Sequence, residues 1–348
     1  SRGLSVCLLE KQDFAEGTSS RSTKLIHGGL RYLKQLDLAL VREVGLERKK
    51  LFENARHLVL PLDVVVPILK NGSMSRFSTQ AAMFTYEQLA EVENHNKHKY
   101  LGKTELLEKY KIDETQLKGA VSYVEYMGND ARLVVEIIKK ANELGAAIAN
   151  YTKVTKFIYQ DNKVKGVKVK NSLTGEERQF LGSTIVNATG PWVDSICDLD
   201  KTQDYTEKLV LTKGVHIVVS SKCLPIDEAF YFDTSDKRMI FIIPKYDKTY
   251  IGTTDTFYSK KNIENPIVTK EEAYYLLKAV NALFNYNLKL TDIESSWAGL
   301  RPLIQRKSSQ KPSEISRKDE IFIAPSELIS IAGGKLTGYR LMAKKVVD

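Results

Sequence analysis

The 348-residue chain carries 43% hydrophobic and 27% charged residues with 20 Gly and 9 Pro, which excludes a disordered, collagenous or low-complexity chain and fits about two globular domains. Lys and Arg number 52 against 43 Asp and Glu, a net +9 that suits an anionic partner (nucleic acid, an anionic membrane surface or a phosphorylated small substrate) or simply a soluble surface. No stretch approaches the roughly 18 apolar residues of a membrane span, since residues 58–69 are broken by Pro61, Asp63 and Pro67; Cys7, Cys197 and Cys223 lack metal-ligand spacing and fit reduced cytosolic thiols better than a disulfide framework or a zinc site.

Residues 1–10 read as a glycine turn and a buried parallel strand closed by Glu10, like the second strand of a βαβ unit. In a dinucleotide fold such a carboxylate takes the ribose hydroxyls about 20 residues after a Gly-rich phosphate turn. Only nine residues precede Glu10 here, so the expectation is a chain lacking its first strand and GxGxxG turn. No signal-peptide pattern is visible. The polar run 17–24 places five hydroxyls (Thr18, Ser19, Ser20, Ser22, Thr23) and two cations (Arg21, Lys24) beside the Gly28-Gly29 pair, either an anion-lining loop or a solvated one with helix caps. Residues 37–58 have helical apolar spacing, with Arg42, Glu43, Glu47, Arg48, Lys49 and Lys50 assigned to a solvated face.

Further helices are expected at 103–110 and 271–283, and a clear one from Asn129 to Gly145, capped by Asp130. A strand at 151–159, a hairpin around Gly166 and Thr174-Gly175, and a buried strand at 183–189 ending in a small-residue turn follow. From 208 to 263 the pattern turns to β-runs and reads as a mostly antiparallel sheet. Residues 252–256 and 296–302 read as polar strand ends where a pocket forms, and 328–340 as a strand, a glycine pair and a helix start. The last helical stretch, 336–348, stops without a Gly or Pro cap, as if cut inside an element.

Residues 13–33 (DFAEGTSSRSTKLIHGGLRYL), Asn187-Ala188-Thr189-Gly190-Pro191-Trp192 and 332–340 (AGGKLTGYR) resemble the FAD-dependent glycerol-3-phosphate dehydrogenases of bacteria. Lys213-Gly214-Val215-His216, Gly252-Thr253-Thr254-Asp255 and Gly299-Leu300-Arg301-Pro302 fit the same family, so the similarity spans essentially the whole chain. The resemblance implies an α/β plus antiparallel β fold: a Rossmann-like, D-amino-acid-oxidase-type FAD/NAD(P)-binding domain with an interposed β-sheet substrate domain. It places the discontinuous FAD domain at 1–58, 130–206 and 322–348, and the substrate domain at 59–129 and 207–321. Relative to the family, the phosphate turn and a C-terminal helical domain are missing.

Carried over by resemblance, Glu10 is the ribose ligand, and Thr18, Ser19, Ser20, Ser22, Thr23 and Lys24 form the loop along the flavin. Val154 meets the adenine through its backbone. Ala188, Thr189, Gly190 and Trp192 belong to the turn over the dinucleotide, and Gly333, Gly334, Lys335, Leu336 and Thr337 to the loop at the pyrimidine side of the isoalloxazine. Arg31, Arg301, Arg317 and Lys335 match the active-site cations, Tyr32 shapes the pocket beside Arg31, and His27 and His216 are alternative bases or structural histidines. The implied reaction is FAD-dependent oxidation of sn-glycerol 3-phosphate to dihydroxyacetone phosphate by hydride transfer from C2. Electrons then pass to membrane quinone from a cytoplasmic enzyme peripheral to the inner face of the plasma membrane, with an anionic lipid surface as partner and a homodimer left open. Oxidases of the family tend to carry a long insertion where only 14 residues separate Pro302 from Arg317 here, which favours the dehydrogenase. A flavin amino-acid oxidase and a non-enzymatic anion-binding domain are the rival readings; nucleic-acid binding is disfavoured because the basic residues are scattered, and no metal is expected.

Overall fold

Glycine turns and β-branched runs place strands, in chain order, at β1 (Cys7–Leu9), β2 (Leu25–Ile26), β3 (Val59–Leu69), β4 (Lys99–Leu101), β5 (Leu117–Gly128), β6 (Ala147–Ala149), β7 (Thr152–Gln160), β8 (Lys163–Asn171), β9 (Glu177–Leu181), β10 (Val186–Asn187), β11 (Leu209–Ser220), β12 (Ala229–Asp233), β13 (Met239–Lys245), β14 (Lys248–Gly252), β15 (Thr256–Phe257), β16 (Ile293–Ile304), β17 (Glu320–Ile323) and β18 (Ile329–Ala332). This computed structural model describes residues 2–27, 37–70, 72, 75–305 and 318–348. Helices span Leu38–Asn54, Arg76–Leu89, Lys103–Lys109, Asp130–Glu143, Val193–Cys197, Lys270–Leu283 and Tyr339–Val347. Among the described residues no helix is long and apolar enough to cross a membrane.

A ten-stranded sheet runs β15-β11-β14-β13-β12-β3-β5-β2, with β16 paired to β11 and β4 to β5. Alternation along β11 decides its two faces. Val215, Ile217 and Val219 bury against a cluster that includes Leu276, Leu277 and Val280 of the helix Lys270–Leu283. Thr212, Gly214 and His216 therefore point to the other side, opposite Arg301, Gly299 and Trp297 of β16. Two short parallel pairs, β1 with β6 and β10 with β18, make the α/β part, and β7-β8-β9 form an antiparallel meander beside them.

Several sequence expectations need correction. The strands at 7–9 and 186–187, expected to be buried, expose Leu8 and Val186. The helix expected from Asn129 is capped by Asn129, whose side chain accepts from the Arg132 amide, and not by Asp130. Gly166 is no turn: it lies inside β8 opposite Ile158 and Leu181, and a Cβ there would come 2.5 Å from the Phe180 carbonyl oxygen. The reversal is instead made by Asp161 and Asn162, both left-handed, as short polar side chains allow. Glu47 and Arg48, assigned to a solvated face, are buried: Arg48 pairs with Glu125 at 2.8 Å, Tyr86 donates to the same carboxylate at 3.0 Å, and Glu47 accepts from Arg340 at 2.5 Å. Residues 296–302 are the middle of β16 rather than a strand end.

Candidate functional site

The site is built on the polar face of β11 and β16. His216 and Trp297 are cross-strand partners and their rings stack at 4.7 Å between centroids, 10° from parallel. Two positions on, Gly214 opposes Gly299, and two further Thr212 opposes Arg301. The glycine pair leaves a flat window. A Cβ on Gly299 would sit 2.5 Å from the Arg21 carbonyl oxygen, and one on Gly214 would strike the Arg301 guanidinium. Only residues without a side chain let the 18–24 loop and that guanidinium lie on the sheet.

The loop is fastened at several points. Thr18 donates to the Leu300 carbonyl at 2.6 Å, Trp297 Nε1 donates to the Ser22 carbonyl at 3.1 Å, and Thr23 Oγ1 meets His216 Nε2 at 2.9 Å. Ser22 donates through its amide (3.2 Å) and hydroxyl (2.7 Å) to Asp130, and Lys24 Nζ donates to Asp130 at 2.7 Å and to the Ser20 carbonyl at 2.9 Å. Ser19 lies in the 3-10 turn Gly17–Ser20. Arg301 donates to Thr253 Oγ1 at 3.0 Å and pairs with Asp255 at 3.4 Å. Thr253 follows Gly252, whose missing Cβ would otherwise strike the His216 ring. Gly252 is in turn the cross-strand neighbour of Phe241, which lies 6.0 Å from the His27 ring, and His27 Nε2 is 3.5 Å from Lys335 Nζ. Arg301, His216, His27 and Lys335 thus form one continuous neighbourhood assembled from four distant stretches of chain. Arg31, Tyr32 and Arg317 lie outside the described residues.

Burial, with the Arg301 and Lys24 charges adding to it, pulls the His216 imidazole down to about 3. It is therefore neutral near pH 7, and its Nδ1 is buried with no hydrogen-bond partner. A base works best with a pKa near the working pH, which favours His216 as a neutral wall over His216 as the proton acceptor. A stability consequence follows with a definite sign. The unfolded chain takes up a proton at this residue near pH 6.5, the folded chain only near 3, so the histidine's contribution is fully present above about pH 6.5 and is lost as pH falls toward 3, at up to about 1.4 kcal/mol per pH unit. Urea unfolding between pH 7 and 4.5 should show His216→Gln losing one proton's worth of that slope; equal slopes would mean the imidazole is already charged in the fold.

The second group of predicted residues lies at the carboxyl ends of the parallel strands, where open α/β sheets place ligands. Glu10 follows β1; one oxygen of its carboxylate accepts from the Gln12 amide at 3.0 Å. Ala188, Thr189 and Gly190 follow β10, and Gly333 and Gly334 follow the adjacent β18. All three glycines have positive φ, and nothing lies within 4 Å of where a Cβ on Gly190 would stand. Thr189 Oγ1 is held by Asn187 at 2.8 Å. Trp192 stacks under the Lys11 ammonium at 3.7 Å and donates to Glu264 at 3.0 Å, and its ring would touch a Cβ on Gly17 at 3.1 Å, linking this corner to the 18–24 loop. Leu336 and Thr337 form the 3-10 turn that starts the last helix, and Val154 lies in β7. The helix after Gly190 is only the five residues Val193–Cys197, too short to form an anion site at its N-terminus. Asp130, Trp297, Thr253 and Asp255 join the site without having been assigned a role in it: Asp130 reads from sequence only as a helix cap, and the runs containing 253, 255 and 297 only as polar pocket edges.

Glycine-lined exits from parallel strands and a polar loop laid across a mixed sheet are the features of a dinucleotide-binding fold. The chain belongs to the FAD dependent oxidoreductase family, which it matches over residues 1–336. It is 48% identical over 351 residues to the aerobic glycerol-3-phosphate dehydrogenase of Staphylococcus haemolyticus and 47% identical over 350 residues to that of Bacillus subtilis, in each case over 100% of this chain and 62% of the relative. The chain thus spans about three fifths of the length of these relatives. The structure of the glycerol-3-phosphate dehydrogenase from Bacillus halodurans complexed with FAD superimposes with a TM-score of 0.79 at 43% identity, over 100% of this chain and 59% of that one. The L-alpha-glycerophosphate oxidase from Mycoplasma pneumoniae with FAD bound shares the fold, with a TM-score of 0.72 at 18% identity, over 98% of this chain and 87% of that one. The residues present fit FAD at two points: the exit at Gly190 is open, with nothing within 4 Å of where a Cβ would stand, and Gly333 and Gly334 hold a left-handed turn after β18 that packs on Lys318 and Met342, while the 18–24 loop is held rigidly across the sheet by its own hydroxyls and Lys24.

Proposed function

We propose that the chain is the FAD- and substrate-binding part of an enzyme that oxidises sn-glycerol 3-phosphate to dihydroxyacetone phosphate. The observation that carries this reading is the convergence of Arg301, Lys335, His27 and His216 beside the backbone-lined exits. FAD, when bound, supplies the two-electron acceptor for the C2 hydride. Glu10, the 18–24 loop, Val154, 188–190, Trp192 and 333–337 hold it. Arg301 offers a guanidinium fork to the phosphate, a geometry that suits a dianion better than a point charge. Lys335 would face the C2 oxygen, and His27, whose Nε2 lies 3.5 Å from Lys335 Nζ, would take the hydroxyl proton. Arg31, Arg317 and Tyr32 complete the phosphate side by their place in the motifs. In this reading residues 1–58, 130–206 and 322–348 serve the cofactor, and 59–129 and 207–321 the substrate. Turnover with an artificial electron acceptor tests the assignment: activity with sn-glycerol 3-phosphate and none with glycine or proline is expected, and the reverse preference refutes it.

We further propose that the electrons go to membrane quinone and that the enzyme sits peripherally on the anionic cytoplasmic leaflet. Supporting this are the net +9, a directly opposed lysine pair on the meander (Lys156 with Lys168, the latter facing Gln179 on its other side), and two aromatics on one face of the helix Arg76–Leu89, Phe77 and Phe84, which are 84% and 60% exposed. Opposed like charges cost stability unless an anion faces them, and exposed aromatics suit an interface. Co-sedimentation with phosphatidylglycerol vesicles at low salt, weakened by salt and absent with phosphatidylcholine, is expected; no binding to either defeats the membrane reading.

A further inference from the structure

We propose that Asp130 is a positioning residue for the flavin-side loop and the counter-charge that neutralises Lys24 there, an inference that rests on the reading above that residues 18–24 face FAD. Asp130 opens the helix Asp130–Glu143 but is not its cap, a role Asn129 fills. It is buried, and its two oxygens are divided between tasks. Oδ2 accepts from the Ser22 amide and hydroxyl, while Oδ1 accepts from Lys24 Nζ at 2.7 Å and from its own helix at the Ala131 amide, 2.9 Å. Three bonds thus reach a segment more than a hundred residues away in sequence. That segment needs holding. Lys24 is a non-glycine residue at φ +59°, a conformation that persists only where its surroundings enforce it, and its amide is in turn tied to Ser22 Oγ at 2.9 Å.

The consequence reaches the site. With Ser22 and Lys24 pinned, Thr23 between them has its hydroxyl set against His216 Nε2, and the Ser22 carbonyl receives Trp297 Nε1. Lys24 Nζ lies 5.4 Å over the Trp297 ring that stacks on His216. Asp130 touches neither histidine nor Arg301; it acts through the loop. Its charge has a separate effect, because an ammonium paired at 2.7 Å exerts far less field on its surroundings than a lone one.

Two substitutions separate shape from charge. In Asp130→Asn the amide oxygen still accepts from Ser22, but Lys24 loses its counter-charge. The expected result is FAD content close to wild type and a flavin midpoint potential shifted positive, because an uncompensated cation favours the electron-rich reduced form; Lys24→Met in the same chain should restore the wild-type potential. Asp130→Ala releases the loop, and trypsin cleavage after Arg21 in the FAD-free chain should rise about tenfold, since local opening governs cleavage. Asn129→Ala removes the helix cap without touching the loop and serves as control. Equal cleavage in the Asn129→Ala and Asp130→Ala chains, or a potential unmoved by Asp130→Asn, overturns the proposal. A wild-type chain that takes up no FAD defeats the flavin reading instead, and the trypsin comparison then still decides whether Asp130 holds the loop.

Discussion

Replacing Arg301 by methionine is expected to lower kcat/KM for sn-glycerol 3-phosphate by about 10²- to 10³-fold, with FAD content unchanged. Methionine keeps much of the side chain's length and apolar stem but removes all five donors and the charge. Each hydrogen bond to a charged group contributes about 1.5–3 kcal/mol, and a guanidinium can offer a phosphate two, so a loss of about 3–4 kcal/mol corresponds to that range of rate. The side chain is positioned by Thr253 and Asp255 from the strand turn after Gly252 and lies on the glycine window made by Gly214. Arg301→Lys separates charge from fork: it should recover less than about tenfold of the loss, because an ammonium is a point charge on a flexible stem. A KM and kcat both near wild type in Arg301→Met would mean that the guanidinium only ties down the 253–255 turn.

Gly299→Ala should do comparable damage by a different route. The backbone there is ordinary strand, so the added methyl introduces no dihedral strain, yet it would stand 2.5 Å from the Arg21 carbonyl oxygen and 3.0 Å from the Arg21 Cβ. Both atoms belong to the loop, and that loop is fastened by Thr18 to the Leu300 carbonyl and by Ser22 to Trp297, so it cannot retreat without breaking those bonds. Overpacking of this kind costs about 1–3 kcal/mol. Because the loop is the element expected along the flavin, FAD affinity should fall together with melting temperature. Gly102→Ala is the matched control, since nothing lies within 4 Å of its Cβ position. Differential scanning calorimetry and an FAD titration on the two variants check this; unchanged FAD affinity in Gly299→Ala would place the flavin away from the loop.

Much of this architecture is legible before any coordinates, and the exceptions share a cause. The strands from Leu209 to Phe257 and the helices Leu38–Asn54 and Lys270–Leu283 announce themselves because apolar residues recur at the period of the element. The helix Arg76–Leu89 does not, because its buried side includes Thr79, Tyr86 and Glu87 along with Met83, so polarity masks the period. Nor does β5, where Glu125 is buried against Arg48, a partner 77 residues away that no local window contains. The same limit governs the site. Glycine pairs and hydroxyl runs are visible in any sequence window, so the 18–24, 187–190 and 333–337 segments, assigned above to the cofactor, stand out. Asp130 reads locally as a helix cap, and its real partners, Ser22 and Lys24, are supplied by the fold alone. His216 is visible as a histidine in a motif, but its depressed basicity depends on complete burial beside Arg301 and Lys24, a three-dimensional fact.

The most direct test is spectroscopic. The chain loaded with FAD should be yellow, and sn-glycerol 3-phosphate added without oxygen should bleach the flavin absorption band in the wild type and leave it intact in Arg301→Met at the same concentration. A wild-type band that persists in excess sn-glycerol 3-phosphate, or that is bleached by an amino acid instead, contradicts the proposal that this cluster of cations delivers a small phosphoester to the flavin.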